Sequence, residues 1–175
     1  MKDIHLNKIE MQLKIFKKIV LNFSVVFLIF IIDRLSKIYI VDIFETENIS
    51  NVYINQYLNL YLIWNKGIAF GLLSIEKDLF YNFVTLIIIC ISLILLIMII
   101  KSEGFQQFSL LLILGGSLGN LFDRIHHKGV PDFIDFHINE MHWFIFNVAD
   151  IFITIGVICL IFIEIFLNKK LNEIN

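Results

Sequence analysis

"LFYNFVTLIIICISLILLIMII", residues 79–100, runs for 22 positions without a charged side chain. It is apolar on every face. A helix on the surface of a soluble domain keeps one polar side, whereas about 20 apolar residues are what a bilayer's hydrocarbon core requires. We read this stretch as a lipid-facing membrane anchor. The whole chain fits that reading: of 175 residues, 58% are hydrophobic, and the mean hydropathy is +0.83. A soluble domain would be nearer half apolar. The length allows one domain. A net charge of −2 leaves no basic face for nucleic acid. Cys90 and Cys159 lie in apolar runs, where a thiol acts as a small apolar filler rather than as part of a disulfide framework or zinc site.

Four segments are long and apolar enough to span: about 19–41, 79–100, 105–123 and 144–167. The first has a Lys-rich lead, but "DRLSK" follows it in place of a small-residue cleavage site. It is therefore read as a retained span rather than a signal peptide. Residues 1–18 form a cytosolic tail or a short interfacial helix, and 169–175 a second tail. Four spans put both termini on one side with the 101–104 loop. That side carries Lys2, Lys8, Lys14, Lys17, Lys18, Lys101, Lys169 and Lys170, against Lys66, Lys77 and Lys128 in the other two loops. Eight against three places the termini in the cytosol and the long loops outside.

Polar residues inside the spans share a spacing. Asp33, Ser36 and Lys37 stand at i, i+3, i+4, and Asn120, Asp123 and Arg124 repeat it. Asn147, Asp150 and Thr154 fall at i, i+3, i+7. Each set lines one helical face, and each lies toward the outer end of its span. Asp33 with Lys37, and Asp123 with Arg124, can be read as self-neutralising pairs. Asp150 cannot, because Lys and Arg are absent from 129 to 168. A carboxylate at a membrane boundary without its own cation points to function.

Scarce residues sharpen the picture. The chain has two Ala (Ala69, Ala149), two Arg (Arg34, Arg124) and one Pro (Pro131), a pattern suggesting codon bias toward Ile and Lys. Six of its eight Gly lie in "WNKGIAFG" or "GGSLGNLFDRIHHKG", beside these rare residues. Gly115 and Gly119 have the four-residue spacing that lets helix backbones approach. In "GVPDFIDF", 129–136, Pro131 stiffens an extended segment that presents Asp132 and Asp135 outside the third span.

Two carboxylates brought together share a proton, so one can activate water while the other protonates a carbonyl or leaving amine. Asp123, Asp132 and Asp135 all remain open as partners for Asp150. Other chemistries lack their parts. No H-E-x-x-H is present for a zinc peptidase, and Ser117 has no His on a neighbouring span. A proton- or lipid-binding transport protein would be the alternative, but four spans without inverted repeats suit it poorly.

With these residues assembled, the chain resembles the signal peptidase II family of bacterial membrane aspartyl peptidases, over roughly 20–167. "DRLSK" is similar to the family's Asp-x-x-Thr-Lys-type motif, with Ser36 for Thr. "WNKGIAFG" resembles its Asn-x-Gly segment, with Ile68 at a usually small position. "GGSLGNLFDRIHHKGVPDFIDF" resembles the long central motif, with Pro131 for Val, and "FNVAD" the last. The resemblance implies that Asp132 and Asp150 are catalytic. It also implies that Asp33, Lys37, Asn65, Gly67, Asn120, Asp123, Arg124, Asn147 and Ala149 shape the site. By the same token, the substrate is a diacylglyceryl-modified prolipoprotein cut just before its lipidated Cys, at the outer face of the bacterial inner membrane. No metal or other cofactor is implied, and the partners are substrate and membrane lipid. The expected fold is an all-α, four-span monomer with a small extracytoplasmic β-like cradle from the loop around 43–75.

Overall fold

The computed structural model describes residues 2–67, 77–139 and 141–168. Four helical segments are long and apolar enough to cross a membrane: they lie in α1 (Lys2–Thr46), α2 (Lys77–Lys101), α3 (Gly104–His127) and, counted through Phe166, the segment that begins with α4 (Val148–Phe162). A π-helical turn, Ile163–Asn168, continues α4. At 1.5 Å per residue, the 45-residue α1 is about 68 Å long, over twice a hydrocarbon core. Lys18 marks where the excess lies. Its Nζ meets Glu103 at 3.4 Å and donates to the Ser102 carbonyl at 3.5 Å, level with the α2–α3 turn. The residues before it continue α1 beyond that turn as helix.

The least hydropathic span is the central one. Two-thirds of the most apolar window of α3 is buried, against 6–17% for the other three helices. Its Leu110, Leu111, Ile113 and Leu114 form the core with Leu95 and Ile99 of α2. Val25 and Val26 of α1 and Ile153 and Leu160 of α4 close around them. The apolar side chains that α1, α2 and α4 leave exposed, such as Phe23, Leu93 and Ile158, face outward where lipid would lie.

Glycines allow α3 its central place. A Cβ on Gly115 would strike Ile29 of α1, and one on Gly119 would strike the Asp33 carboxylate. Gly116 lies against the Ala149 carbonyl and Ile153 on α4. In Gly116→Ala the new methyl would meet the Ala149 carbonyl, backbone that cannot swing aside, as well as the Ile153 side chain. The expected cost is about 1–3 kcal/mol, measurable as a lower midpoint of thermal unfolding in detergent.

At one end of the bundle sits an antiparallel sheet in the order β1-β2-β3-β4: β1 (Val52–Asn55), β2 (Leu58–Asn65), β3 (Val130–Ile138) and β4 (Met141–Phe146). Phe133 docks it on Ile40 and Phe44 of α1. The sheet alters two expectations. The 43–75 loop supplies only β1 and β2, and the other half comes from 130–146, so "all-α" understates the β content. The fourth span also begins later than 144: residues 144–146 belong to β4, and Asn147 caps α4 with extended backbone. The apolar run through Phe144 and Phe146 conceals that boundary, which the cap sets.

Candidate active site

The sheet and three helices deliver polar side chains to one layer. Helix α3 ends at Lys128, whose left-handed φ of 53° turns the chain into β3. β3 then pairs with β2 so that Asp132 sits opposite Ile63, and Asn65 opposite Val130. β4 leads directly into the cap of α4. Asp132, Asn65, Asn147 and Asp150 are therefore fixed by backbone pairing and a helix terminus, not by loops.

Asn147 joins the two halves. Its Nδ2 donates to Asp132 Oδ1 at 2.6 Å. Its Oδ1 accepts from the Asp150 N–H at 3.2 Å, while its own N–H donates to Asp150 Oδ2 at 3.1 Å, a reciprocal cap. The other Asp132 oxygen accepts from Asn65 Nδ2 at 2.8 Å. Asn65 Oδ1 in turn accepts from the Gly67 N–H at 2.7 Å, where Gly67 takes a φ of 76°. The remaining Asp150 oxygen accepts from Asn120 Nδ2 at 2.8 Å. Burial pushes the Asp132 carboxyl up to about 6, and the nearby Asp150 charge adds to the rise. The two asparagine hydrogen bonds and Lys37 oppose it.

Beneath this layer lies an ion cluster. Lys37 Nζ donates to Asp33 at 3.0 Å, Asn120 Oδ1 at 2.9 Å and Asp123 at 2.8 Å. Arg34 grips both oxygens of Asp123 in a bidentate pair and reaches Asp33 at 3.0 Å. Two carboxylates thus meet two cations. Asp33, Lys37, Asp123 and Asn147 are all 0–1% exposed. Asp33 also accepts from the Ala149 N–H at 3.0 Å, tying α1 to the first turn of α4. A cavity of about 270 Å³ borders Lys37 and Asp123, with Trp64, Val41 and Pro131 on its walls.

The structure separates the three candidate partners of Asp150. Asp132 is linked to it through Asn147. Asp123 is held by Arg34 and Lys37. Asp135 binds His142 Nδ1 at 2.9 Å, on the opposite sheet face from Asp132, since the two are an odd number apart on a strand. The expected Asp33–Lys37 pair forms, but the Asp123–Arg124 pair does not. Arg34 and Lys37 already occupy the Asp123 carboxylate, and Arg124 lies instead near Gly67 and 5.3 Å from the Tyr81 ring centroid. Its Nε and Nη1 are buried with no partner among the described residues. Sequence reasoning missed Arg34 as a site residue. Its rarity was a signal, but its position beside Asp33 gave no hint of Asp123. Ile68 and Ala69 lie outside the described residues.

Residues 25–166 match the family model described as signal peptidase (SPase) II. The lipoprotein signal peptidase of Pelagibacter ubique is 48% identical over 171 residues, spanning 97% of this chain and 100% of the relative. That of Anaplasma phagocytophilum is 35% identical over 156 residues, 89% of this chain and 99% of the relative. A solved bacterial membrane enzyme, determined by the in meso method at 2.3 Å resolution, has a TM-score of 0.67 and 32% identity, covering 86% of this chain and 90% of that one.

Proposed function

We propose, since this chain belongs to the signal peptidase II family, that Asp132 and Asp150 are the catalytic pair with which it removes signal peptides from diacylglyceryl-modified prolipoproteins. The observation that carries this reading is Asn147, which holds both carboxylates at once. In the resting pair one proton is shared. We assign it to Asp132 below about pH 6, where burial keeps that carboxyl protonated. Asp150 takes a proton from water as the water oxygen adds to the scissile carbonyl, and Asp132 protonates the carbonyl oxygen. As the resulting diol collapses and its C–N bond breaks, Asp150 gives its proton to the leaving amine and Asp132 takes one back from a diol hydroxyl, which restores the starting pair.

The supporting residues follow from their contacts. Asn65 and Asn120 hold the outer carboxylate oxygens, and the ion cluster of Asp33, Arg34, Lys37 and Asp123 fixes α1, α3 and the start of α4 in register. Gly67 leaves room for Arg124. Ala149 is fully buried, with its N–H on Asp33 and its carbonyl against Gly116. The Lys/Arg bias puts both termini in the cytosol, so the sheet and the pair face the outer side of the inner membrane. There, a lipid-anchored precursor can reach them from the bilayer.

A pH profile tests the scheme. The sign follows from the raised carboxyl: below about 6, Asp132 keeps its proton, and above it the shared proton is lost. The value of kcat/KM, which reports the free enzyme, is expected to fall about tenfold per pH unit on the alkaline side of an ionisation near 6. A profile flat from pH 5 to about 8 would contradict this assignment of the proton.

A further inference from the structure

The geometry points to a divalent-metal site on the β3–β4 hairpin, formed by Asp135, His137 and His142 and suited to a borderline cation such as Zn²⁺. One ligand atom from each of the three lies within 4.8 Å of the others. They share one sheet face. Asp135 and His137 are two apart on β3, and His142 is the register partner of His137 on β4, after an irregularity that shifts the pairing. The two imidazoles stack with centroids 5.0 Å apart. Two imidazoles and a carboxylate are the ligand types of a three-residue zinc site, leaving the fourth position to water.

A simple His–Asp contact does not account for the surroundings. Both Asp135 oxygens are satisfied by His142 Nδ1, at 2.9 and 3.0 Å. His137 is only 9% exposed, yet its Nδ1 stops 3.7 Å from Asp135 Oδ2, beyond hydrogen-bond range, and has no partner among the described residues. Across the β2–β3 pair, Asn59 stands opposite Asp135, and its Oδ1 is also buried without a partner among the described residues. Asn59, Asp135 and His142 line one cavity of about 290 Å³, with Asn51, Tyr61 and Ile145. Unpartnered buried polar atoms are costly. A cation bound by His137, His142 and Asp135 uses the first of these atoms as a ligand, and its bound water can donate to the second. The site is on the opposite face from Asp132 and clips the hairpin rather than entering the cleavage reaction.

The test is Zn²⁺ titration of the full chain in detergent, freed of any affinity tag and pre-treated with a chelator. One equivalent is expected to bind, and Co²⁺ in its place should give the visible d–d absorption of a tetrahedral site without thiolate charge transfer. His137→Ala and His142→Ala should each weaken binding about tenfold or more, while the His126→Ala/His127→Ala control leaves it unchanged. Precursor cleavage by each variant checks that it is folded, and His142→Ala should keep it. No binding by the parent chain, or parental affinity in the folded His137→Ala/His142→Ala double variant, would overturn the site.

Discussion

Asp150→Asn and Asp132→Asn are each expected to reduce precursor cleavage about a thousandfold or more while the protein still inserts and folds. The size follows from the role. General acid–base groups contribute roughly 10² to 10⁴ in rate, and here each residue also supports the shared-proton state of the other. The two losses should therefore not multiply, and the double variant should be little worse than either single one. The fold should survive for local reasons. An Asn at 150 keeps an acceptor oxygen for the Asn147 N–H, so the cap on α4 persists. An Asn at 132 can still accept from Asn65 or Asn147, losing one hydrogen bond at a cost of about 1 kcal/mol.

Asp123→Asn should fail in the opposite way. Asp123 is fully buried and receives Arg34 and Lys37 together. Without its charge, two buried cations share Asp33 alone, and breaking a buried ionic network in this manner costs about 3–5 kcal/mol. Against a total stability of roughly 5–15 kcal/mol, that is enough to deplete the folded protein. The expected result is poor accumulation in the membrane and a lowered unfolding midpoint. Cleavage per folded molecule should be far less affected than in the Asp132 or Asp150 variants. Normal accumulation with lost cleavage would move Asp123 into the catalytic group.

What the sequence made legible was mostly what depends on local periodicity. The four spans are visible as apolar runs, and the Asp33–Lys37 pair and the Gly115/Gly119 face follow from helical spacing. Pairings between distant segments were not legible. Nothing in "VYINQYLNLYLIWN" or "VPDFIDFHI" states that β2 and β3 meet across some 70 residues of chain, including two whole helices. The start of α4 was blurred because a short apolar strand looks like the first turn of an apolar helix. The polar Asn147 was the one mark of the change. Arg34 shows a further limit. Its long, forked guanidinium reaches across to α3, a direction that adjacency to Asp33 does not encode. The choice among Asp123, Asp132 and Asp135 rested on family resemblance in the sequence. In the structure each has a different partner, and that difference has a physical basis in strand alternation and the Asn147 cap.

The central claim is that Asp132, and no other carboxylate, works with Asp150. Single-turnover cleavage of a diacylglyceryl-modified precursor, using equal amounts of folded parent, Asp132→Asn and Asp135→Asn protein, tests it most directly. Asp132→Asn should release no detectable signal peptide on the parental timescale, and Asp135→Asn should cleave at near the parental rate. Cleavage that survives in Asp132→Asn but vanishes in folded Asp135→Asn would contradict the pair.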